Sequence, residues 1–255
     1  MTGARRPRHV LRLTSVFEPP AQTAEEVEAQ AAFDPIGGMQ NQTANLTRAL
    51  DAYGLRQTVV TSRLGGTTSR QPFGRHAQVV RVGLPVRHLR QLWAAAAVPT
   101  VLGADGVDLV HVHQGEDLAA LPLGLMAARR HRCPLVVTLH CSVRLTVAAD
   151  SPRLAAVRLL GAPLESLALR RADKIICLTG ATAARLAQLE PKAEIIPSGV
   201  ETDRFTGAPS DLFDHIPRPR LLYLGRLARQ KGVPTLVEAF GRVRTEASLV
   251  IVGDG

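Results

Sequence analysis

Three short segments hold residues whose types and spacing suit chemistry on an anionic or hydroxylated ligand. The first is Phe33-Asp34-Pro35-Ile36-Gly37-Gly38-Met39-Gln40, which follows the first apolar run and opens a helical pattern. Two adjacent glycines at a helix N-terminus let backbone N–H groups approach an anion, and the helix dipole favours negative charge there. The same pair equally suits a tight turn that needs positive φ. It has neither the full G-x-G-x-x-G spacing nor a Walker lysine, so dinucleotide and P-loop readings are poor. The second segment is Thr138-Leu139-His140-Cys141-Ser142, just past the carboxyl end of an apolar run. In an open α/β sheet that edge is where ligands sit, and an imidazole there can donate to a sugar hydroxyl or a phosphate oxygen. A lone histidine is as readily a satisfied structural residue. His111 and His113, two residues apart, read as one neighbour of the sheet plane and one residue at its mouth. The third segment is Gly225-Arg226-Leu227-Ala228-Arg229-Gln230-Lys231-Gly232. Arg226 offers a bidentate fork and Lys231 a compact charge, a pair suited to a diphosphate, although an ordinary solvated basic loop has the same composition.

These segments must be positioned by alternating strands and helices. Short Val/Ile/Leu runs alternate with longer helical patterns, which is the signature of a parallel sheet built from βαβ units. Strands are expected at residues 10–13, 57–61, 78–82, 109–112, 135–139 and 174–177. A helix is expected from about Gly38, with Met39, Leu46, Leu50 and Tyr53 along its apolar face and Gly54 as its stop. Another is expected over about residues 116–130, and a longer one over about 153–171, where Gly161 and Pro163 suggest a break. A helix near 182–189 and a strand at 194–196 follow. Residues 197–219, rich in Pro and Gly, read as an interdomain connection. Beyond them a new unit begins with a strand at 221–224, a helix from Val233 with Pro234 in its first turn, and a strand at 249–252. Two strands and one helix cannot cover both faces of a parallel sheet, so this second unit is expected to be incomplete.

Composition narrows the classes. Of 255 residues 45% are hydrophobic and 21% charged, which is ordinary for a globular protein and argues against disorder. No stretch approaches the ~20 apolar residues of a spanning helix, and the start resembles no signal peptide, so a cytoplasmic protein without stable membrane insertion is expected. The net charge is +9, and among the 31 basic residues only Lys174, Lys192 and Lys231 are lysines. A basic balance suits nucleic acid, an anionic surface or an anionic small substrate. Aromatics at 4% give no stacking platform, which argues against nucleic acid. Cys133, Cys141 and Cys177 fit neither a disulfide framework nor a zinc site and read as reduced, buried thiols.

Taken in order, GGMQ, TLHCS, CLTGATAARL, IIPSGVETDRF, YLGRLARQKG and VIVGDG resemble the retaining GT-B glycosyltransferases of glycosyltransferase family 4. The resemblance covers nearly the whole chain and implies an α/β GT-B fold, with two Rossmann-like domains facing across a cleft. Residues 1–197 would form the N-terminal acceptor-side domain, 198–219 the connection, and 220–255 the start of the nucleotide-sugar-binding domain. Carried over, Gly37 and Gly38 would lie at the donor phosphate, His140 near the donor sugar's hydroxyls as the catalytic residue, and Arg226 with Lys231 on the diphosphate. The family's Glu-x7-Glu segment is expected beyond Gly255, as in a C-terminally truncated chain. FDPIGGMQ with VTLHCS more narrowly resembles the transferases of aminoglycoside antibiotic biosynthesis, which add an N-acetylglucosaminyl or glucosyl unit to 2-deoxystreptamine or a related aminocyclitol.

The resemblance implies transfer of a sugar from a UDP-sugar to an acceptor hydroxyl with retention, with no cofactor and no metal because protein cations balance the diphosphate. A cationic aminocyclitol would want acids in the first domain, and Glu116 and Asp117 are the candidates, although acids open helices for dipole reasons as well. The alternative is an inactive sugar-nucleotide-binding fragment or partner subunit. An oxidoreductase on the same layers is disfavoured by the missing dinucleotide fingerprint.

Overall fold

The structure, a computed structural model, describes residues 8–19, 37–63, 68–83, 92–115, 117–146, 152–186, 192–204, 207, 211–227 and 231–253. The chain divides into two compact units, Met1–Gly199 and Val200–Gly255.

The first unit is an eight-stranded sheet in the order β3-β4-β2-β1-β5-β6-β7-β8. Its strands are β1 (His9–Thr14), β2 (Arg56–Ser62), β3 (Ser69–Pro72), β4 (Ala77–Val82), β5 (Leu109–Gln114), β6 (Leu135–Leu139), β7 (Lys174–Cys177) and β8 (Ala193–Ile195). Only β3 runs antiparallel, against β4; the other described pairings are parallel. Leaving β3 aside, the chain builds outward from β1 in one direction and then returns to continue from its other side at β5. That reversal opens a crevice beyond the carboxyl ends of β1 and β5, the usual ligand position in doubly wound sheets. β3 carries no apolar alternation in Ser69-Arg70-Gln71-Pro72, so periodicity does not announce it.

The two faces of the sheet differ in kind. On one, Leu11, Leu13, Val60, Val110, Val112 and Val137 pack against α2 (Trp93–Leu102) and α3 (Ala120–His131) in a continuous apolar core. A fully buried side chain of this size contributes about 1.5–3 kcal/mol. Helix α3 lies so close to β5 that a Cβ at Gly124 would stand 2.3 Å from Val112 Cγ2. The other face carries Arg12, Thr14, Gln57, Thr61, His111, His113 and Thr138, all buried, with only a small apolar cluster of Phe17, Ala44, Val59 and Val79 beside them.

Helix α1 (Gly38–Ala52) belongs to that polar face, and here the apolar-stripe expectation is corrected. Its buried residues are Gln40, Thr43, Ala44 and Thr47, whereas Tyr53 is 81% exposed. Gly37 caps the helix, and Gly54, at φ 74°, follows it in the left-handed conformation that glycine adopts without strain.

Helix α4 (Val143–Thr146) is a single turn, and α5 (Pro152–Arg171) runs on through Gly161 and Pro163 without the expected break. Pro163 withholds a bond from the carbonyl of Leu159, a residue 75% exposed, so water can take its place. Gly161 is buried instead, and a Cβ there would come within 2.2 Å of Leu118 Cδ1. Helix α6 (Gly180–Arg185) completes the first unit, its start capped by Thr179, whose hydroxyl accepts from Thr182 N–H. No described helix is long and apolar enough to cross a membrane.

The second unit holds β9 (Arg220–Leu224), α7 (Val233–Phe240) and β10 (Ser248–Val252), with β9 and β10 parallel. Leu222 and Leu224 remain 60% and 75% exposed.

Candidate functional site

The site grows from the carboxyl edge of β1, β5 and β6. The Gln114 carbonyl at the end of β5 accepts from His140 N–H at 2.9 Å and Cys141 N–H at 3.4 Å, which fixes the turn that leaves β6. The next residue, Gly115, lies against the first turn of α1: a Cβ there would stand 2.7 Å from Met39 Sδ. The glycine-opened end of α1, the end of β5 and the His140 turn thus share one edge of the sheet. Gly37 N–H donates to Gln40 Oε1 at 2.5 Å, while a Cβ at Gly38 would meet nothing within 4 Å. Space for a ligand therefore lies at Gly38, and the Gly37 amide is occupied by Gln40. The Asp34-Pro35-Ile36 part of the motif lies outside the described residues.

Beneath this edge a polar chain runs through the buried face. Arg12, 1% exposed, donates from Nη1 to Thr47 Oγ1 at 2.6 Å and to Gln57 Oε1 at 3.3 Å, and its Nη2 lies 2.7 Å from His113 Nε2. Gln57 Nε2 donates to the Thr47 carbonyl at 2.9 Å, which fixes the amide's orientation. His113 Nδ1 in turn lies 3.1 Å from His140 Nε2. The His111 ring stacks on His113 with centroids 4.3 Å apart, and its Nε2 lies 2.8 Å from Thr138 Oγ1. Register explains the assembly, since Arg12 pairs with His111, and His113 with both Thr14 and Thr138, all on one side of the pleat.

Burial pulls the Arg12 guanidinium down to about 9, which leaves it charged near neutral pH. Burial, reinforced by Arg12, holds His140 down to about 4. His111 and His113 sit well below the ordinary imidazole range, first through burial and then through neighbouring charge. All three rings are neutral near pH 7. Among the described residues no group of three or more His, Cys, Asp or Glu is arranged to hold a metal.

A second support comes from α5. Ser142 Oγ donates to Glu165 Oε1 at 2.5 Å and Val143 N–H to Glu165 Oε2 at 2.7 Å, with Glu165 only 1% exposed. Beside this turn a cavity of about 140 Å³ is lined by Leu139, His140, Cys141, Ser142, Thr182 and Arg185 among others. A wider groove of about 910 Å³ opens at the opposite edge, near Cys133 and Leu135, where none of the candidate site residues lies. The carboxyl edge is the better site because the turn-borne groups converge there.

Asp117 sits at the same edge, ahead of α3. Its Oδ1 accepts from Ala119 N–H at 2.7 Å and its Oδ2 from Trp93 Nε1 at 2.9 Å, so both oxygens have structural partners. Glu116 lies outside the described residues. In the second unit the turns after β9 and β10 press together, since a Cβ at Gly253 would stand 1.9 Å from the Gly225 carbonyl oxygen. Tyr223 OH donates to the Arg226 carbonyl at 2.8 Å, and Lys231 is exposed just before α7. The cysteines are free thiols: Cys177 is buried, whereas Cys133 and Cys141 are half-buried. Arg12 and Glu165 escape sequence reading, and His113 is read there only as a residue at the sheet's mouth. Arg12 and His113 carry a signal, because polar residues alternate along strands that a parallel sheet normally fills with apolar ones. Glu165 carries none, being one acid in a long helix.

The chain is similar to known proteins along most of its length. Among curated relatives, the 2-deoxystreptamine N-acetyl-D-glucosaminyltransferase of Streptomyces fradiae is 32% identical, with 96% of this chain and 64% of that protein covered. The 2-deoxystreptamine glucosyltransferase of Streptomyces kanamyceticus is 30% identical over 85% of this chain and 63% of its own. The chain therefore spans under two thirds of the length of these relatives. Among solved structures, HepE of Anabaena in complex with UDP-glucose superposes with a TM-score of 0.63 at 18% identity, covering 96% of this chain and 60% of HepE. The trehalose 6-phosphate synthase of Burkholderia multivorans gives a TM-score of 0.55 at 17% identity, over 96% of this chain and 63% of its own. At these identities the likeness shows the fold alone, the α/β fold of GT-B proteins. The sequence profile described as Glycosyltransferase Family 4 matches residues 36–204, and the chain belongs to that family.

Proposed function

We propose that this chain is the acceptor-side domain and the opening of the nucleotide-sugar domain of a retaining glycosyltransferase. In this reading residues 1–197 form the acceptor side and 220–255 begin the donor side. The enzyme moves an N-acetylglucosamine or glucose unit from a UDP-sugar to a hydroxyl of an aminocyclitol, as in aminoglycoside biosynthesis, in the cytoplasm. The observation that carries the reading is His140, a neutral, well-supported imidazole at the switch-point edge beside the open Gly38 turn. The names of the relatives at 32% and 30% identity support the aminocyclitol acceptor.

His140 donates a hydrogen bond to the donor sugar. The Gly38 amide, in the turn that Gly37 opens, together with Arg226 and Lys231 holds the negative charge that grows on the leaving diphosphate. The bond from the anomeric carbon to the phosphate oxygen breaks, and the acceptor oxygen bonds to that carbon on the same face. The acceptor's proton passes to the departing phosphate, leaving UDP. The protein's contribution is position and fixed charge. Asp117 and Glu116 attract the acceptor's ammonium groups. Alone, the 255-residue chain is a weak or inactive enzyme, because Leu222 and Leu224 lie uncovered in the unit that carries Arg226 and Lys231.

The test is His140→Ala in this chain joined to the part of the Streptomyces fradiae relative that lies outside the match. Turnover should fall by ~10²-fold or more with UDP affinity nearly unchanged, as for a group acting mainly in the transition state. Unchanged turnover would return His140 to a structural role.

A further inference from the structure

We propose that Arg12 and His113 are positioning residues that lock His140 into the tautomer with its proton on Nδ1, making it a hydrogen-bond donor, and not a base, toward whatever occupies the crevice at the carboxyl edge of the first unit's sheet. Within this relay Arg12 is the group whose role is fixed by its chemistry. A guanidinium only donates, so His113 Nε2, 2.7 Å from Arg12 Nη2, must offer a lone pair. A neutral His113 then carries its proton on Nδ1, 3.1 Å from His140 Nε2, and donates it there. The His140 lone pair is thereby used inside the protein, and the nitrogen left for a ligand in the crevice is the protonated Nδ1.

Each link is held against the alternative arrangement. Arg12 cannot swing away, because Thr47 and Gln57 hold its Nη1 and Gln57 is itself anchored to the Thr47 carbonyl. His113 cannot turn freely, because it is 1% exposed and stacked on His111, whose Nε2 is engaged with Thr138. The His140 backbone is pinned to Gln114. A chain of hydrogen bonds that starts at a cation also polarises each member after it, so the outward N–H becomes a stronger donor than an isolated imidazole.

The cost of this device shows that packing alone does not explain it. A buried cation whose hydrogen-bond partners are a threonine, a glutamine and a neutral histidine is expensive to desolvate. The opposite side of the same strand is filled by Leu11 and Leu13, so the fold accepts apolar residues on β1 readily. The proposal rests on the transferase reading only for the identity of the group that meets the donor; in that reading His140 cannot take the acceptor's proton, which must go to the phosphate.

The experiment is a long-range proton–nitrogen correlation spectrum of the 15N-histidine-labelled chain near neutral pH, with His113→Gln and His113→Leu alongside. A glutamine can accept from Arg12 through its oxygen and donate to His140 through its nitrogen, so it rebuilds the relay; leucine removes it. The expected result is His140 as a single Nδ1–H tautomer in the wild type, retained in His113→Gln and lost to an averaged or Nε2–H pattern in His113→Leu. A wild-type His140 protonated on Nε2, or doubly protonated, overturns the proposal, as does an unchanged pattern in His113→Leu. Should His113→Leu not fold, the wild-type and His113→Gln spectra decide alone. Because the spectrum needs no turnover, failure of the transferase reading would leave a positive tautomer result intact, and the reverse.

Discussion

Glu165 closes the turn that presents His140: its two carboxylate oxygens take the Ser142 hydroxyl at 2.5 Å and the Val143 N–H at 2.7 Å. Deeply buried, it ties α5 to the carboxyl end of β6 from the side opposite the histidine relay. Removing it with Glu165→Ala takes an acceptor from two buried donors, and each group left unsatisfied costs about 1–3 kcal/mol. Glu165→Gln keeps an acceptor and should cost less. Urea unfolding of both variants checks the order, and equal stability of Glu165→Ala and wild type would contradict it.

The buried histidines make stability depend on pH in a defined direction. His111 and His113 lie well below 6.5 and His140 at about 4, each chiefly through burial. His9 is lowered for the same reason. The groups facing this set are Arg12 from β1 and the three rings themselves, while α1 presents only uncharged Gln40, Thr43 and Thr47. The unfolded chain therefore binds more protons than the folded chain between about 4 and 6.5. Stability from His140 is complete above 6.5 and is lost as pH falls toward its folded value of about 4. Urea midpoints should thus be lower at about pH 5 than at about pH 7.5. A flat profile would mean that the rings are charged or exposed in the folded protein.

Asp117 is the candidate acceptor acid whose position the structure describes, and its bond to Trp93 offers a direct probe. Trp93 is the only tryptophan of the chain, and its indole N–H donates to Asp117 Oδ2. Asp117→Asn should change the tryptophan emission by weakening a charge-assisted bond. If the carboxylate also attracts an aminocyclitol ammonium, the same variant raises the acceptor KM and flattens its salt dependence, since a partly exposed pair is screened by ions. A changed emission with an unaltered KM would confine Asp117 to structure.

The sequence exposes what periodicity can express. The parallel strands fall close to their expected residues because Val, Ile and Leu cluster there, and the edge that carries His140 follows from strand position. What is hidden follows from the polar face. Helix α1 buries Gln40, Thr43 and Thr47 because it covers Arg12 and Gln57, so an apolar stripe through Leu46, Leu50 and Tyr53 misses the buried face: both leucines are half-buried and Tyr53 is exposed. Pro163 does not break α5 because its missing bond falls on a wet face. Arg12 is a single letter inside an apolar run, and only the register that sets β1 beside β5 reveals it as the partner of His113.

Sugar transfer from a UDP-sugar to an aminocyclitol with retention, as proposed for this chain, is open to product analysis. The chain joined to the remaining part of the Streptomyces fradiae relative is supplied with UDP-N-acetylglucosamine or UDP-glucose and 2-deoxystreptamine, and the product is followed by mass spectrometry and proton NMR. The expected result is UDP release matched by an α-linked glycosyl aminocyclitol, with no measurable product from the 255-residue chain alone. A joined protein that binds UDP yet glycosylates no aminocyclitol, or that yields the inverted anomer, would contradict it.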